Sequence, residues 1–204
     1  EQFETPLTIS NDWTRNTVGA NGALEWANVG PDDKQNYGTG RYMWGFDNDV
    51  ESSSSLVSPT VTVNATGDFS MSFEHWYKFE RTKVYDDSGS FISTINWDAG
   101  VIEISIDDGE WTDVITAGGS FTGRGYRGTV VDSNPILGGR NAFVLQAGSR
   151  GKLLSETITF PEGLVNGSDV QLRFRIGTDG AARQWGWDID NVQFSNYSNA
   201  LFSS

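Results

Sequence analysis

Between residues 170 and 176, Val170, Leu172, Phe174 and Ile176 alternate with Gln171, Arg173 and Arg175, the period of two that marks a half-buried strand. A short polar, glycine-containing connection leads to a second alternation over 187–194. There Trp187 and Ile189 are followed, after a one-residue break, by Val192 and Phe194, with Asp188, Asp190, Asn191 and Gln193 between them. The break predicts a bulge that turns one carboxylate away from bulk solvent. An Asp-x-Asp-Asn closing strand in an acidic chain points to a buried cation before it points to catalysis. Upstream, MSFEHWYKFE (71–80) sets Met71, Phe73, His75, Tyr77 and Phe79 on one face and Glu74, Trp76, Lys78 and Glu80 on the other. Residues 100–114 read as a hairpin in which Ile102, Ile104 and Ile106 alternate with Glu103 and Ser105, with Asp108-Gly109 as the tight turn. The run 56–64 is a strand interrupted by Pro59, hence an edge or bulged one. Further strands fall in 134–146, in 151–160 and, as an edge or first strand, in 1–9.

No stretch carries a sustained i, i+3, i+4, i+7 apolar pattern, so the chain is predicted to be all-β. Its 204 residues are a size that β-sandwiches reach as one domain. Residues 10–55 look irregular, with isolated aromatics among Asn, Asp, Gly and Ser; a loop that long is functional or tied down by something. Within it, Asp47, Asp49 and Glu51 stand at alternate positions, like the opening of a Ca²⁺ loop without the remainder of an EF-hand. They form either a half-site or a solvated acidic loop. Glu80, at a strand end, is an oxygen ligand or the partner of Arg81 or Lys83; Asp179 is a ligand or the partner of Arg175. The Gly-rich stretch 117–133 lacks the strand–loop–helix context of a phosphate loop and carries a small basic-aromatic group, Arg124, Tyr126 and Arg127.

The formal net charge of −13 argues against nucleic acid or an anionic membrane as partner and favours divalent cations. With no cysteine, disulfides, thiol nucleophiles and Cys-ligated zinc are excluded. The one histidine, His75, sits in an aromatic row and reads as a core residue, and no G-x-S-x-G elbow accompanies it, so neither a Ser–His nucleophile nor catalytic zinc is available. Carboxylate pairs suited to glycoside hydrolysis cannot be told from surface charge by spacing. No 18-residue apolar run spans a membrane, and the opening EQFETPL reads as that of an excised or mature domain. Trp185 and Trp187 flank a glycine; either one faces outward as a stacking platform or both pack over the sandwich. Asn64, Asn166 and Asn196 lie in N-glycosylation sequons.

The pieces LVSPTVTV (56–63), SFEHWYKFE (72–80), GVIEISIDDGEWTDV (100–114), NPILGGRNAFV (134–144), VQLRFRIGTD (170–179) and GWDIDNVQF (186–194) together resemble the MAM-like jelly-roll accessory domain of secreted bacterial peptidases: fungalysin-like and immune-inhibitor-A-like metallopeptidases and some subtilases. The resemblance implies a two-sheet antiparallel jelly-roll β-sandwich over 1–204, secreted, a monomeric domain of a larger chain. In such modules a structural Ca²⁺ bridges the first strand, a loop and the closing strand, which makes Glu4, Asp47, Asp49, Glu80, Asp179 and Asp190 the expected ligands. The segment 83–99 departs from the pattern by an inserted rim loop. Such loops carry recognition residues, so Tyr85 and Trp97, together with Tyr126, Trp185 and Trp187, are the expected ligand-binding positions. The resulting expectation is a non-catalytic, Ca²⁺-stabilised accessory domain that binds polysaccharide or the parent hydrolase's protein substrate. The alternatives are a stability or secretion appendage with no ligand beyond Ca²⁺, and a stand-alone glycosidase or lyase.

Overall fold

The alternation over 170–176 becomes the central strand of one of two sheets. The computed structural model describes residues 13–30 and 40–199. In chain order these form β1 (Thr14–Gly19), β2 (Ala27–Val29), β3 (Tyr42–Phe46), β4 (Glu51–Val57), β5 (Val61–Thr62), β6 (Phe69–Lys78), β7 (Arg81–Tyr85) and β8 (Phe91–Asn96). There follow β9 (Ala99–Ile106), β10 (Thr112–Asp113), β11 (Ser120–Thr122), β12 (Gly128–Thr129), β13 (Asn141–Ala142), β14 (Leu154–Phe160), β15 (Asp169–Asp179) and β16 (Gly186–Ser195). The first sheet runs β1-β4-β15-β9-β10, with β5 also on β15; the second runs β11-β14-β6-β16-β3-β2. Every pairing is antiparallel. The chain crosses between the sheets from β1 to β2, β3 to β4, β5 to β6, β6 through the β7–β8 ribbon to β9, β10 to β11, β14 to β15 and β15 to β16. This is the all-β chain that the strand pattern predicts, in the two-sheet jelly-roll sandwich that the resemblance implies. None of the described residues forms a helix long and apolar enough to cross a membrane.

The inner faces meet in an aromatic core. Phe174 of β15 and Phe73 of β6 lie 5.1 Å apart edge to face, and Trp187 of β16 packs against Phe174 at 5.5 Å and Phe143 at 5.2 Å. Large aromatic rings buried this way carry most of the apolar stabilisation of a sandwich. Gly100 in β9 is dictated by that packing, because a Cβ there would run into the Trp187 ring. His75 belongs to the same core and is fully buried; its Nδ1 accepts the Trp187 Nε1–H at 3.2 Å, which leaves the ring proton on Nε2, 3.8 Å from Glu156. Burial, with the nearby Arg124 charge adding to it, lowers the His75 pKa to about 3, so the ring is a neutral core residue.

Three expectations are corrected. The described part of residues 10–55 is not irregular: it contains β1 to β3 and most of β4, short strands with no sustained apolar alternation, with Trp13 and Trp26 buried. The turn after β9 is centred one residue earlier than the Asp-Gly pair. Asp107 and Asp108 adopt φ of 50° and 58°, and Gly109 N–H closes onto Ile106 O, so two aspartates supply the left-handed pair. The inserted loop is itself a β7–β8 ribbon, with Tyr85 and Phe91 in edge-to-face contact at its exposed tip. The sequon asparagines tie loops together: Asn64 Nδ2–H donates to Asn196 Oδ1, and Asn166 Nδ2–H to the Asn64 and Gly67 carbonyls.

Candidate metal centre

At one rim of the sandwich the β3–β4 turn, the residue after Phe79, the β8–β9 junction and the end of β15 converge, and each brings an acid. Asp47 follows β3, in a turn anchored by Asn48, whose amide bonds Leu24 and Ser52. Asp47 Oδ2 accepts the Glu80 N–H at 3.1 Å and the Gln184 N–H at 2.8 Å. Asp98 Oδ1 accepts the Asp179 N–H at 2.8 Å, and Asp179 Oδ1 accepts the Ala181 N–H at 2.9 Å. Each aspartate thus spends one oxygen bracing a neighbouring loop. The oxygens left over, Asp47 Oδ1, Asp98 Oδ2 and also Glu80 Oε2, are buried with no N–H or hydroxyl donor; Asp47 and Asp98 face each other, and only a carboxyl proton can join them. Asp47 is 2% exposed and Asp98 0%, so each unmade contact carries a desolvation cost of about 1–3 kcal/mol or more.

Electrostatics sharpens the point. Burial, which three hydrogen bonds only partly offset, raises the Asp47 pKa to about 7. Burial and then the Asp47 charge raise Asp98 to about 10, and burial followed by the Asp179 charge raises Glu80. In the absence of a cation, Asp98 keeps its proton and donates it to Asp47. No lysine or arginine among the described residues pairs with any of the four acids. Glu80, Asp98 and Asp179 each offer an oxygen within 4.8 Å of the others. A single ion about 2.4 Å from each oxygen spans that distance, which is the Ca²⁺–oxygen range. An all-carboxylate donor set suits a hard divalent cation and no soft one.

Of the sequence-derived ligands, Asp47, Glu80 and Asp179 are brought together here. Asp49 is not: Asn48 turns inward in its place, and Asp49 lies in solvent near Arg183 at 3.9 Å, its side chain 57% exposed. Asp190 is not either. The bulge after it, with Asn191 at φ 52°, turns its Oδ1 onto the Asn191 N–H, opposite Glu74 in β6 and about 20 Å along the strand from Glu80. The buried carboxylate of β16 is Asp188, which takes the Trp185 Nε1–H at 2.8 Å. Glu4 lies outside the described residues. Sequence reasoning missed Asp98, hidden at the end of the inserted segment; its one signal was an acid placed directly before the apolar run of β9. Arg175, weighed as the partner of Asp179, bonds Ser53 and Glu103 instead.

The five aromatic positions do not share a surface. Trp187 is core, and Tyr126 is half-buried with its hydroxyl on the Ile102 backbone and Asp113. Trp97 Nε1–H donates to Thr82, and Tyr85 stands at the ribbon tip. Trp185 lies on the outer face of the second sheet, stacked on Trp44 at 4.3 Å and 10°.

No family model matches the chain, and no curated protein matches it. Among solved structures, it is similar to the enzymatically active domain of bacteriophage CBA120 tailspike protein 4, with 9% identity and a TM-score of 0.41, over 95% of this chain and 20% of that one. The chain thus spans a fifth of the tailspike chain's length. It is also similar to the K1 cleaved adhesin domain of Lys-gingipain from Porphyromonas gingivalis W83, with 13% identity and a TM-score of 0.35, over 96% and 95% of the two chains. A third likeness is to the C-terminal CBM6 of LamC, a laminarinase from Zobellia galactanivorans, with 10% identity, a TM-score of 0.22 and coverage of 81% and 100%. Likenesses of this strength leave the function to be argued from the chain's own residues.

Proposed function

We propose that this chain is a non-catalytic, Ca²⁺-stabilised binding domain, an accessory of a secreted bacterial hydrolase of the peptidase class, that holds polysaccharide or protein substrate. The observation that carries the reading is the rim cluster of Asp47, Glu80, Asp98 and Asp179, with buried oxygens that have no N–H or hydroxyl donor. A cation bound only by the folded state stabilises it by about 3–4 kcal/mol at 100–1,000 times its Kd, the cross-linking that a chain without cysteine lacks. The non-catalytic reading is supported by His75, sealed in the core and bonded to Trp187, where it can serve no nucleophile. The Tyr85–Phe91 pair at the exposed tip of the β7–β8 ribbon supports binding, since exposed aromatic faces take up sugar rings or partner side chains.

The test is a thermal melt in Ca²⁺ and in chelator, paired with retention assays on insoluble glycans and turnover assays with glycan and peptide substrates. A melting point that rises with Ca²⁺, retention on a substrate and no turnover are expected. An unchanged melting point removes the calcium, turnover by the purified chain removes the non-catalytic role, and a Ca²⁺ response with no retention reduces the domain to a stability appendage.

A further inference from the structure

We propose that the outer edge of β7 takes up an extended acidic peptide segment as an added strand, with two of its carboxylates opposite Arg81 and Lys83. This rests on the binding-domain reading and gives it a site and a ligand class, protein and not polysaccharide. β7 and β8 form a two-stranded sheet of their own, and such a ribbon presents free edges unless something covers them. The edge of β8 is met at its base, where Asn96 O accepts the Val131 N–H and Asn96 Nδ2–H donates to Thr129 O. Among the described residues, no backbone hydrogen bond beyond those to β8 involves residues 81–85.

The register identifies the free groups. Trp97 N–H donates to Glu80 O at 3.2 Å, so that pair is hydrogen-bonded, and the next pairs are Arg81 with Asn96, Thr82 with Ile95 and Lys83 with Thr94. Hydrogen-bonded and non-hydrogen-bonded pairs alternate along an antiparallel ladder. Arg81 and Lys83 therefore turn their N–H and C=O away from β8, as Asn96 does towards Val131. Their side chains share one face with Tyr85, which meets Phe91 across the ribbon at 6.1 Å; the two rings are 53% and 58% exposed. Both cations are exposed and neither forms an ion pair among the described residues, in a chain whose net charge is −13. Asp86, at the tip, spends Oδ1 on the N–H groups of Ser88 and Ser90 in its own turn. A strand added antiparallel to β7 pairs its main chain with Arg81 and Lys83, and side chains directly opposite stand about 4.5–5.5 Å apart on one face. Acids at i and i+2 of that strand face the two cations, and an apolar residue at i−2 covers Tyr85. A polysaccharide has no main chain to complete the ladder, and a second copy of β7 brings the same two cations to the edge.

The experiment is calorimetric titration of the full chain in Ca²⁺ with a capped octapeptide, Thr-Val-Thr-Glu-Thr-Glu-Thr-Thr, with its counterpart carrying Gln for Glu, and with two N-methylated forms of the acidic peptide. Glycan retention and a melt in chelator accompany it. The acidic peptide binds, the glutamine peptide binds about three- to tenfold more weakly, and added salt narrows the gap. N-methylation of the two glutamates, whose amides face β7, abolishes binding, whereas N-methylation of the threonine between them, whose amide faces away, leaves it. Arg81→Gln and Lys83→Gln each weaken the acidic peptide about two- to fivefold with the melting point unchanged, and Lys83→Arg retains it. No binding of the acidic peptide, equal affinity for the glutamate and glutamine peptides, or a loss on threonine methylation as large as that on glutamate methylation overturns the proposal. If a glycan is retained and the peptide is not bound, the binding-domain reading stands and only this site and ligand class fall. If neither binds and chelation leaves the melt unmoved, both fall.

Discussion

Asp98→Asn separates the bracing role of a buried acid from its charge. Asparagine keeps Oδ1 for the Asp179 N–H and sets an amide N–H in place of the Oδ2 that has no N–H or hydroxyl donor, where it can donate to Asp47 as the protonated acid does. In the cation-free protein the Asp98 pKa stands at about 10, against 3.8 for an ordinary aspartate. The folded state therefore holds a proton that the unfolded chain releases. For a carboxyl raised in this way, stability is complete below pH 3.8 and is lost as pH rises towards 10. Between 3.8 and 8 the loss comes to about 6 kcal/mol at about 1.4 kcal/mol per pH unit. Water entering past the half-buried Glu80 and Asp179 screens it to about 2–4 kcal/mol. Asparagine has no proton to lose, so at pH 8 in chelator the variant is the more stable protein by that amount, or roughly 10 °C at about 2–4 °C per kcal/mol.

Calcium reverses the comparison. The wild type gains about 3–4 kcal/mol in excess Ca²⁺, and the variant, lacking one negative ligand, gains little. Melts followed by circular dichroism at pH 8, in Ca²⁺ and in chelator, give all four values. A variant no more stable than the wild type in chelator, or one that keeps the full calcium shift, refutes the assignment of Asp98 as a charged ligand held in a repulsive site.

Three further outcomes follow from the same accounting. Glu103→Gln leaves three guanidiniums facing one another and costs about 3–5 kcal/mol at pH 7; because the wild-type carboxyl titrates below its ordinary 4.5, the wild-type advantage holds above that pH and disappears as pH falls through the lowered value, which urea titrations at pH 7 and pH 3 will show. His75, lowered to about 3 from 6.5, contributes stability that is complete above pH 6.5 and is lost as pH falls towards 3; between pH 6.5 and 4.5 this is about 3 kcal/mol, and His75→Gln, which keeps an acceptor for Trp187, flattens that part of the curve. Gly100→Ala drives a Cβ into the Trp187 ring and costs about 1–3 kcal/mol; a urea midpoint unchanged from the wild type shows that the core can shift to admit it.

The legible parts of the fold were those where one face is apolar and the other polar. The alternation of β15 over 170–176 follows its buried and half-buried faces, that of β6 does so up to His75, whereas β9 is buried on both faces, its Glu103 and Ser105 included; the break in β16 marks a real bulge. The short strands β1 to β4 were illegible because β4 buries serines: Ser52 and Ser54 face inward at 1% exposure, with Ser52 satisfied by Thr178 at 2.8 Å. A run of serines carries no hydrophobic period to read. At the rim, Asp47, Glu80 and Asp179 could be named as acids at element ends, but their convergence depends on which loops meet, and that is a property of strand order. Asp98 comes from a segment far in sequence from Asp47 and Asp179 and carries no local motif.

Two buried carboxylates with opposite surroundings support the reading of the rim as a metal site. Glu103, 3% exposed, sits on the outer face of the first sheet under Arg140 at 2.5 Å, Arg173 at 2.6 Å and Arg175 at 3.3 Å. Burial opposes its ionisation, and the three guanidiniums more than offset it, so its pKa is lowered. Asp98 is as deeply buried, yet its neighbours are Asp47 and Asp179 and its pKa is raised. The chain carries 14 lysines and arginines and spends three of them on one glutamate. Among the described residues none pairs with the four acids at the rim, where strand ends from both sheets meet. Buried charge is tolerated when it is paired or coordinates a metal, and Asp98, whose side-chain neighbours are acids, meets the first condition only by keeping a proton; that contrast with Glu103 is what supports the proposal of a divalent cation at the rim.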